Sequence, residues 1–147
     1  MKKKLLSLSQ IEKLVNISAN LTISKFNLPS YGSGNEYHDC YIKVSKDRYL
    51  LYEFDPYKDK NNQHLEIETS DIEELLFEVF KSATREIAYK YELKNRIPNQ
   101  DIRIIAFEKH IEILNSLPLE KKFVTILKEY YDNLLRLKQP LPLPNKW

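Results

Sequence analysis

Glycine is almost missing from this chain: two residues in 147, both within the stretch 27–35 (NLPSYGSGN). Without glycine at the required spacings, no Gly-x-Gly-x-x-Gly or Walker-type phosphate loop can be written anywhere in the sequence. Cysteine occurs once, at Cys40, which excludes an internal disulfide and a zinc ion held by a cysteine cluster. Cys40 lies in a predicted strand and is expected to be a small packed residue rather than a reactive thiol, which would need an exposed, electropositive setting. No apolar run approaches the roughly 20 residues needed to span a bilayer. Lys2–Lys4 followed by Leu5 and Leu6 resembles the start of a signal peptide, but Ser7, Ser9, Gln10 and Glu12 interrupt it and no small-residue cleavage site follows. The sequence therefore reads as cytoplasmic, with no membrane partner.

Catalytic signatures are scarce as well. His38, His64 and His110 are far apart and make neither H-x-x-x-H nor H-E-x-x-H, so the spacing offers no metal site and no cofactor is expected. No serine sits in a G-x-S-x-G elbow, and no Cys–His partnership can be read from the spacing. A hydrolase built on Glu53 and Asp101 is conceivable, but neighbouring acids are common and acid–base work needs a convergence that spacing does not supply. Lys and Arg are dispersed rather than gathered into a stripe with aromatics, which argues against nucleic acid as a partner.

What is abundant is charge, tyrosine and aliphatic periodicity. The net charge of +2 conceals an asymmetry: residues 1–50 carry +4, residues 51–88 carry −6 and residues 89–147 carry +4. A block of one sign is a solvated face or a docking surface for the opposite sign.

The hydrophobic pattern predicts a single α+β domain over 1–147: an N-terminal helix, a three-stranded antiparallel meander, three packed helices and a proline-rich tail at 139–147. The first helix is expected from about Ser9 to Leu21, with Ser9 and Glu12 at capping-box spacing. Residues 27–35 read as a loop. Tyr37–Val44 and Tyr49–Phe54, around Ser45-Lys46-Asp47, read as a hairpin whose second strand puts Tyr49, Leu51 and Glu53 on one face and Leu50, Tyr52 and Phe54 on the other. Residues 55–63 are a polar loop, and His64–Glu68 is a third strand with Leu65 and Ile67 inward.

A long helix then opens at a Ser70–Glu73 capping box, with Ile72, Leu75, Leu76, Val79, Phe80, Ala83, Ile87 and Tyr91 as its apolar stripe. Pro98 breaks it, and Asn99 is the expected N-cap of a helix over about Gln100–Ser116. That helix offers Ile102, Ile105, Ala106, Ile113, Leu114 and Leu117 to the core. Pro118 suits the first turn of a last helix buried through Phe123, Ile126, Leu127, Tyr130, Leu134 and Leu137. Pro140, Pro142 and Pro144 favour a polyproline path ending in Trp147, the one tryptophan. Arg96 falls in the break, and Asp101 with Arg103 opens the next helix. An Arg–carboxylate contact there would set the angle between helices.

Several of these residues together resemble a known family. Glu53 at a strand end, Thr69-x-Asp71-x-x-Glu74-Leu75-Leu76, Ala88-x-x-Tyr91-Glu92, Asn95-Arg96, Asp101-x-Arg103 and Phe107 are similar to the pattern of the immunity protein 63 family, across roughly Tyr37 to Leu117. Members of that family protect bacteria against polymorphic toxins. The resemblance implies an α+β fold, no catalysis, and binding to a cognate toxin. The chain departs from the family pattern at Phe54 and Asp55, where arginine and glycine are usual, and at Ile104, where a second arginine is usual. If those arginines contact the toxin, the partner here has a different shape or charge.

An immunity protein of this kind would occlude its toxin. Many such toxins are nucleases with basic clefts, which an acidic face would complement. The residues expected to supply that face are Glu53, Asp55, Asp59, Glu66, Glu68, Glu73, Glu74 and Glu78, with Tyr52 and Tyr57 as aromatic anchors. Arg96, Asp101 and Arg103 are expected to hold the scaffold. The alternative is a small cytosolic adaptor or regulatory protein unrelated to toxins. Neither the toxin's identity nor the oligomeric state can be read from the sequence.

Overall fold

The computed structural model describes residues 4–19, 23–34, 37–54 and 63–136. They fall into two compact units, residues 1–83 and 84–147. Helix α2 (Ile72–Lys94) runs through the boundary. The expected α+β class is what the chain adopts, with a four-stranded mixed sheet where three antiparallel strands were expected.

In the first unit, α1 (Leu8–Ser18) is capped two residues earlier than expected. Its capping box is Ser7 with Gln10 rather than Ser9 with Glu12: Gln10 N donates to Ser7 Oγ (3.2 Å), and Ser7 N donates to Gln10 Oε1 (2.9 Å). Ile11 and Val15, one turn apart, are fully buried, and the helix packs along β2. The expected loop at 27–35 contains the missed strand, β1 (Ser30–Tyr31), which pairs in parallel with β2 (Cys40–Val44). Gly32 ends it at φ +90, a conformation that side chains with a Cβ resist, and its N–H donates to the Ile42 carbonyl at 2.7 Å.

The strands β2, β3 (Tyr49–Phe54) and β4 (Gln63–Thr69) form the antiparallel meander, with β4 at the edge. Cys40, Ile42, Tyr49, Leu51 and Thr69 are buried on one face, as the two-residue period of a strand requires. Tyr49 also fastens the N-terminal segment, its hydroxyl accepting from Leu6 N at 2.8 Å.

One expectation about β4 fails for a clear reason. Leu51 pairs with Ile67 but Tyr52 pairs with Leu65, so Glu66 is an extra residue in a β-bulge. The bulge breaks alternation. Ile67 stays with Leu51, while Leu65 moves to the Tyr52 side and is 44% exposed.

Helix α2 is capped one residue later than predicted. Glu73 N donates to Asp71 Oδ1 (2.9 Å) and Leu75 N to the Asp71 carbonyl, so Asp71 is the N-cap in place of Ser70. Thr69 Oγ1 in turn accepts from Asp71 N at 3.0 Å. Leu75, Leu76, Phe77, Val79, Phe80 and Ala83 are buried. Ser82 Oγ donates to Glu53 Oε1 (2.8 Å), tying α2 to the buried face of the sheet.

The second unit consists of the C-terminal part of α2, α3 (Ile102–Asn115) and α4 (Lys121–Leu135). Its buried α2 residues are Thr84, Ala88 and Glu92, a four-residue step that leaves Tyr91 exposed, contrary to the predicted stripe. Asn99 does not cap α3: it occupies the turn before it with φ 65, a left-handed angle that asparagine tolerates. Asp101 is the N-cap, not a first-turn residue. Leu117 is buried as expected. Pro118 lies in the loop ahead of α4 rather than in its first turn. The buried face of α4 is Val124, Leu127 and Tyr131. The predicted face was rotated by one position, since Ile126 and Tyr130 are 62% and 56% exposed.

Candidate partner-binding face and the scaffold beneath it

The residues of the family-like pattern have local structural jobs. Glu53 accepts the Ser82 hydroxyl, and Thr69 and Asp71 build the start of α2. Leu75, Leu76 and Ala88 are core. Asn95 Nδ2 donates to the Tyr91 carbonyl near the end of α2 (2.9 Å). Glu92 is 2% exposed at its side chain and ion-pairs with Arg96 one turn on, at 2.7 Å. Arg96 thus binds within its own helix end and does not set the angle between helices.

The interhelical work falls to Arg103. Its Nε and Nη2 bind both oxygens of Asp101 at 2.7–3.1 Å. Asp101 Oδ1 also accepts from Arg103 N at 3.0 Å, which is the helix cap. Arg103 Nη1 donates to the Leu134 carbonyl at 3.1 Å, joining the start of α3 to the end of α4. The guanidinium holds the Asp101 carboxyl below the usual carboxylate range, chiefly through its side-chain hydrogen bonds. A carboxylate so fixed as an ion is poorly suited to act as a general acid, which weakens the hydrolase alternative.

Sequence spacing gave no sign of the centre of this unit. His110 is buried between two hydroxyls, with Tyr131 Oη 2.6 Å from Nδ1 and Thr84 Oγ1 3.0 Å from Nε2. The Tyr131 ring lies parallel to Phe107 at a centroid distance of 3.9 Å. Burial pushes the Tyr131 phenol up, so it remains a neutral hydrogen-bonding group. The one available signal was helical position: Thr84, His110 and Tyr131 each stand four residues after an expected core residue, Phe80, Ala106 and Leu127 respectively.

The expected partner-facing acids lie in the first unit where they are described. Glu66 and Glu68 are exposed on β4, and Glu53, Glu73, Glu74 and Glu78 are half-buried. Glu68 is 3.7 Å from Arg48, and Glu78 is 2.7 Å from Lys81. Glu73 and Glu74 occupy the first turn of α2, where the helix dipole favours a carboxylate. Glu53 and Glu66 come together beside His64. Tyr52 is half-buried on the other face of the sheet, stacked on Tyr41 with centroids 5.0 Å apart, and Lys43 Nζ lies about 6 Å from both rings. Asp55, Tyr57, Asp59, Leu137 and the proline-rich tail fall outside the described residues.

Cys40 is buried, and its thiol is pushed up by burial first and by Asp39 and Glu53 second. It is a packed residue, as expected. No helix among the described residues is long and apolar enough to cross a membrane.

Comparison with known proteins adds one finding. No curated protein and no solved structure matches the chain. Residues 56–120 match the model of the family described as Immunity protein 63, which supports the family that the residues resemble and, with it, an immunity function.

Proposed function

We propose that this protein neutralises a cognate bacterial polymorphic toxin by binding it, without catalysis of its own, and that the acidic residues of β4 and the first turns of α2 form part of the docking face. The observation that carries the proposal is the family match over 56–120, which spans most of the −6 segment. The geometry is compatible with it. Most of the pattern residues are occupied with capping, pairing and packing, whereas Glu66 and Glu68 stand exposed on β4, where a partner can reach them.

A nuclease with a basic cleft is the toxin class that this charge fits best. An acidic patch raises the association rate toward such a surface, and the advantage fades as salt screens it. The exposed pair Arg48–Glu68 does not prevent this: such pairs contribute about 0–1 kcal/mol and are exchanged at little cost for a partner's arginine or lysine.

The test is binding to the purified toxin domain encoded beside this chain. Glu66→Lys with Glu68→Lys and Glu73→Lys should slow association most at low salt and flatten its salt dependence. Unchanged association rate and salt dependence in the triple variant would remove the electrostatic part of the proposal. Failure of the wild-type chain to bind any co-encoded toxin would remove the whole.

A further inference from the structure

We propose that Glu53, His64 and Glu66 form a binding site for a divalent first-row transition metal, with Zn2+ the best fit. One carboxylate oxygen from each glutamate and one imidazole nitrogen lie within 4.8 Å of one another. Zinc bonds of about 2.0–2.2 Å in tetrahedral geometry place ligand atoms about 3.3–3.6 Å apart. His64 Nε2 and Glu66 Oε1 are already in hydrogen-bond contact, so side-chain rotation must spread that pair and draw it toward Glu53; His64 and Glu66, on an edge strand, are exposed enough to do so.

The linear sequence hides the site because strand pairing completes it. Register sets His64 directly opposite Glu53. Glu66, two residues on and beside the bulge, contacts the His64 imidazole through Nε2, as the two-residue period of a strand allows. The third element is support from behind: Ser82 Oγ holds Glu53 Oε1 at 2.8 Å, the kind of outer contact that orients a ligating carboxylate.

Chemistry selects the ion. A mixed nitrogen and oxygen donor set favours zinc and its first-row neighbours over calcium or magnesium, which prefer oxygen alone. The competing account is that His64 and Glu66 form a plain surface ion pair that needs no metal. The two accounts differ in a direct measurement.

The experiment is calorimetric titration of the tag-free, chelator-treated chain with Zn2+, together with Co2+ as an optical probe. The site predicts one equivalent bound, ligand-field absorption from Co2+, and affinity that falls on acidification as protons compete for the donors. His64→Ala, Glu53→Gln and Glu66→Gln should each weaken Zn2+ binding by more than about tenfold, and Ser82→Ala by about tenfold. Asp47→Asn, in the β2–β3 turn, should leave it unchanged. In the wild-type chain, paramagnetic broadening by Co2+ should centre on His64, a readout that depends on no variant folding. Absence of saturable binding, or broadening centred elsewhere, overturns the proposal. The titration uses the chain alone, so its failure leaves the toxin-binding reading untouched.

Discussion

Removing Arg103 gives the sharpest test of how the second unit is held. The side chain is 6% exposed and its partner Asp101 is 28% exposed. Breaking a buried ion pair from one side costs about 3–5 kcal/mol, mostly because the remaining charge is stranded. In Arg103→Leu the stranded group is Asp101, which keeps its bond from the residue-103 backbone N–H and some contact with water. The cost should therefore fall at or just below the low end of that range, about 2–3 kcal/mol. In Asp101→Asn the stranded group is the buried guanidinium itself, and the cost should be larger, although asparagine caps a helix as well as aspartate does. The double variant strands nothing, so the two changes should be non-additive, with a coupling energy of about 1.5–3 kcal/mol.

Urea unfolding followed by circular dichroism reads all four corners of this cycle. The pH dependence has a definite sign. The native Asp101 pKa is depressed, so its contribution to stability is complete above the ordinary aspartate value of about 3.9. It is lost as pH falls through the lower native value. Asp101→Asn should abolish that acid-side component. Additive single costs, with coupling below about 0.5 kcal/mol, would refute this account of the α3–α4 junction.

Three further outcomes are expected. Tyr131→Phe removes a hydroxyl from buried His110 without changing the ring stack on Phe107, and should cost about 1–3 kcal/mol in urea titrations; a neutral effect would mean that the hydrogen bond is not needed. Asp71→Ala should destabilise by about 1 kcal/mol while Ser70→Ala does little, and the reverse ranking would restore the cap predicted from sequence. Because α2 runs unbroken through both compact units, amide signals from α1 and α4 should disappear at the same urea concentration in NMR titrations; separate midpoints would show two domains.

The comparison of pattern with structure is instructive at particular residues. Apolar periodicity located the four α-helices of the described residues because burying a stripe is what makes an amphipathic helix stable. It also put Tyr49 and Leu51 on one face of β3, and that face is the buried one. It failed where a polar side chain is buried with a partner distant in sequence. Thr84 and Glu92 displace Ile87 and Tyr91 from the buried face of α2 because His110 and Arg96 satisfy them. On α4, Tyr131 rather than Tyr130 goes inward, where Phe107 and His110 receive it. The bulge at Glu66 was equally unreadable, since it exists only as a mismatch between two strands. β1, two residues long, is too short to show any period. For the same reasons the scaffold residues were legible and the acidic surface only in outline. A cap or an ion pair fixes residue identity, whereas a docking face is defined by a partner that the chain does not contain.

The central claim is that this chain protects a cell from a toxin by binding it. Co-expression with the toxin domain encoded next to it tests that claim most directly, scored by colony growth. Growth restored by the wild-type chain, and reduced by Glu66→Lys with Glu68→Lys and Glu73→Lys at equal expression, is the predicted result. Cells that die as readily with the chain as without it would contradict the account.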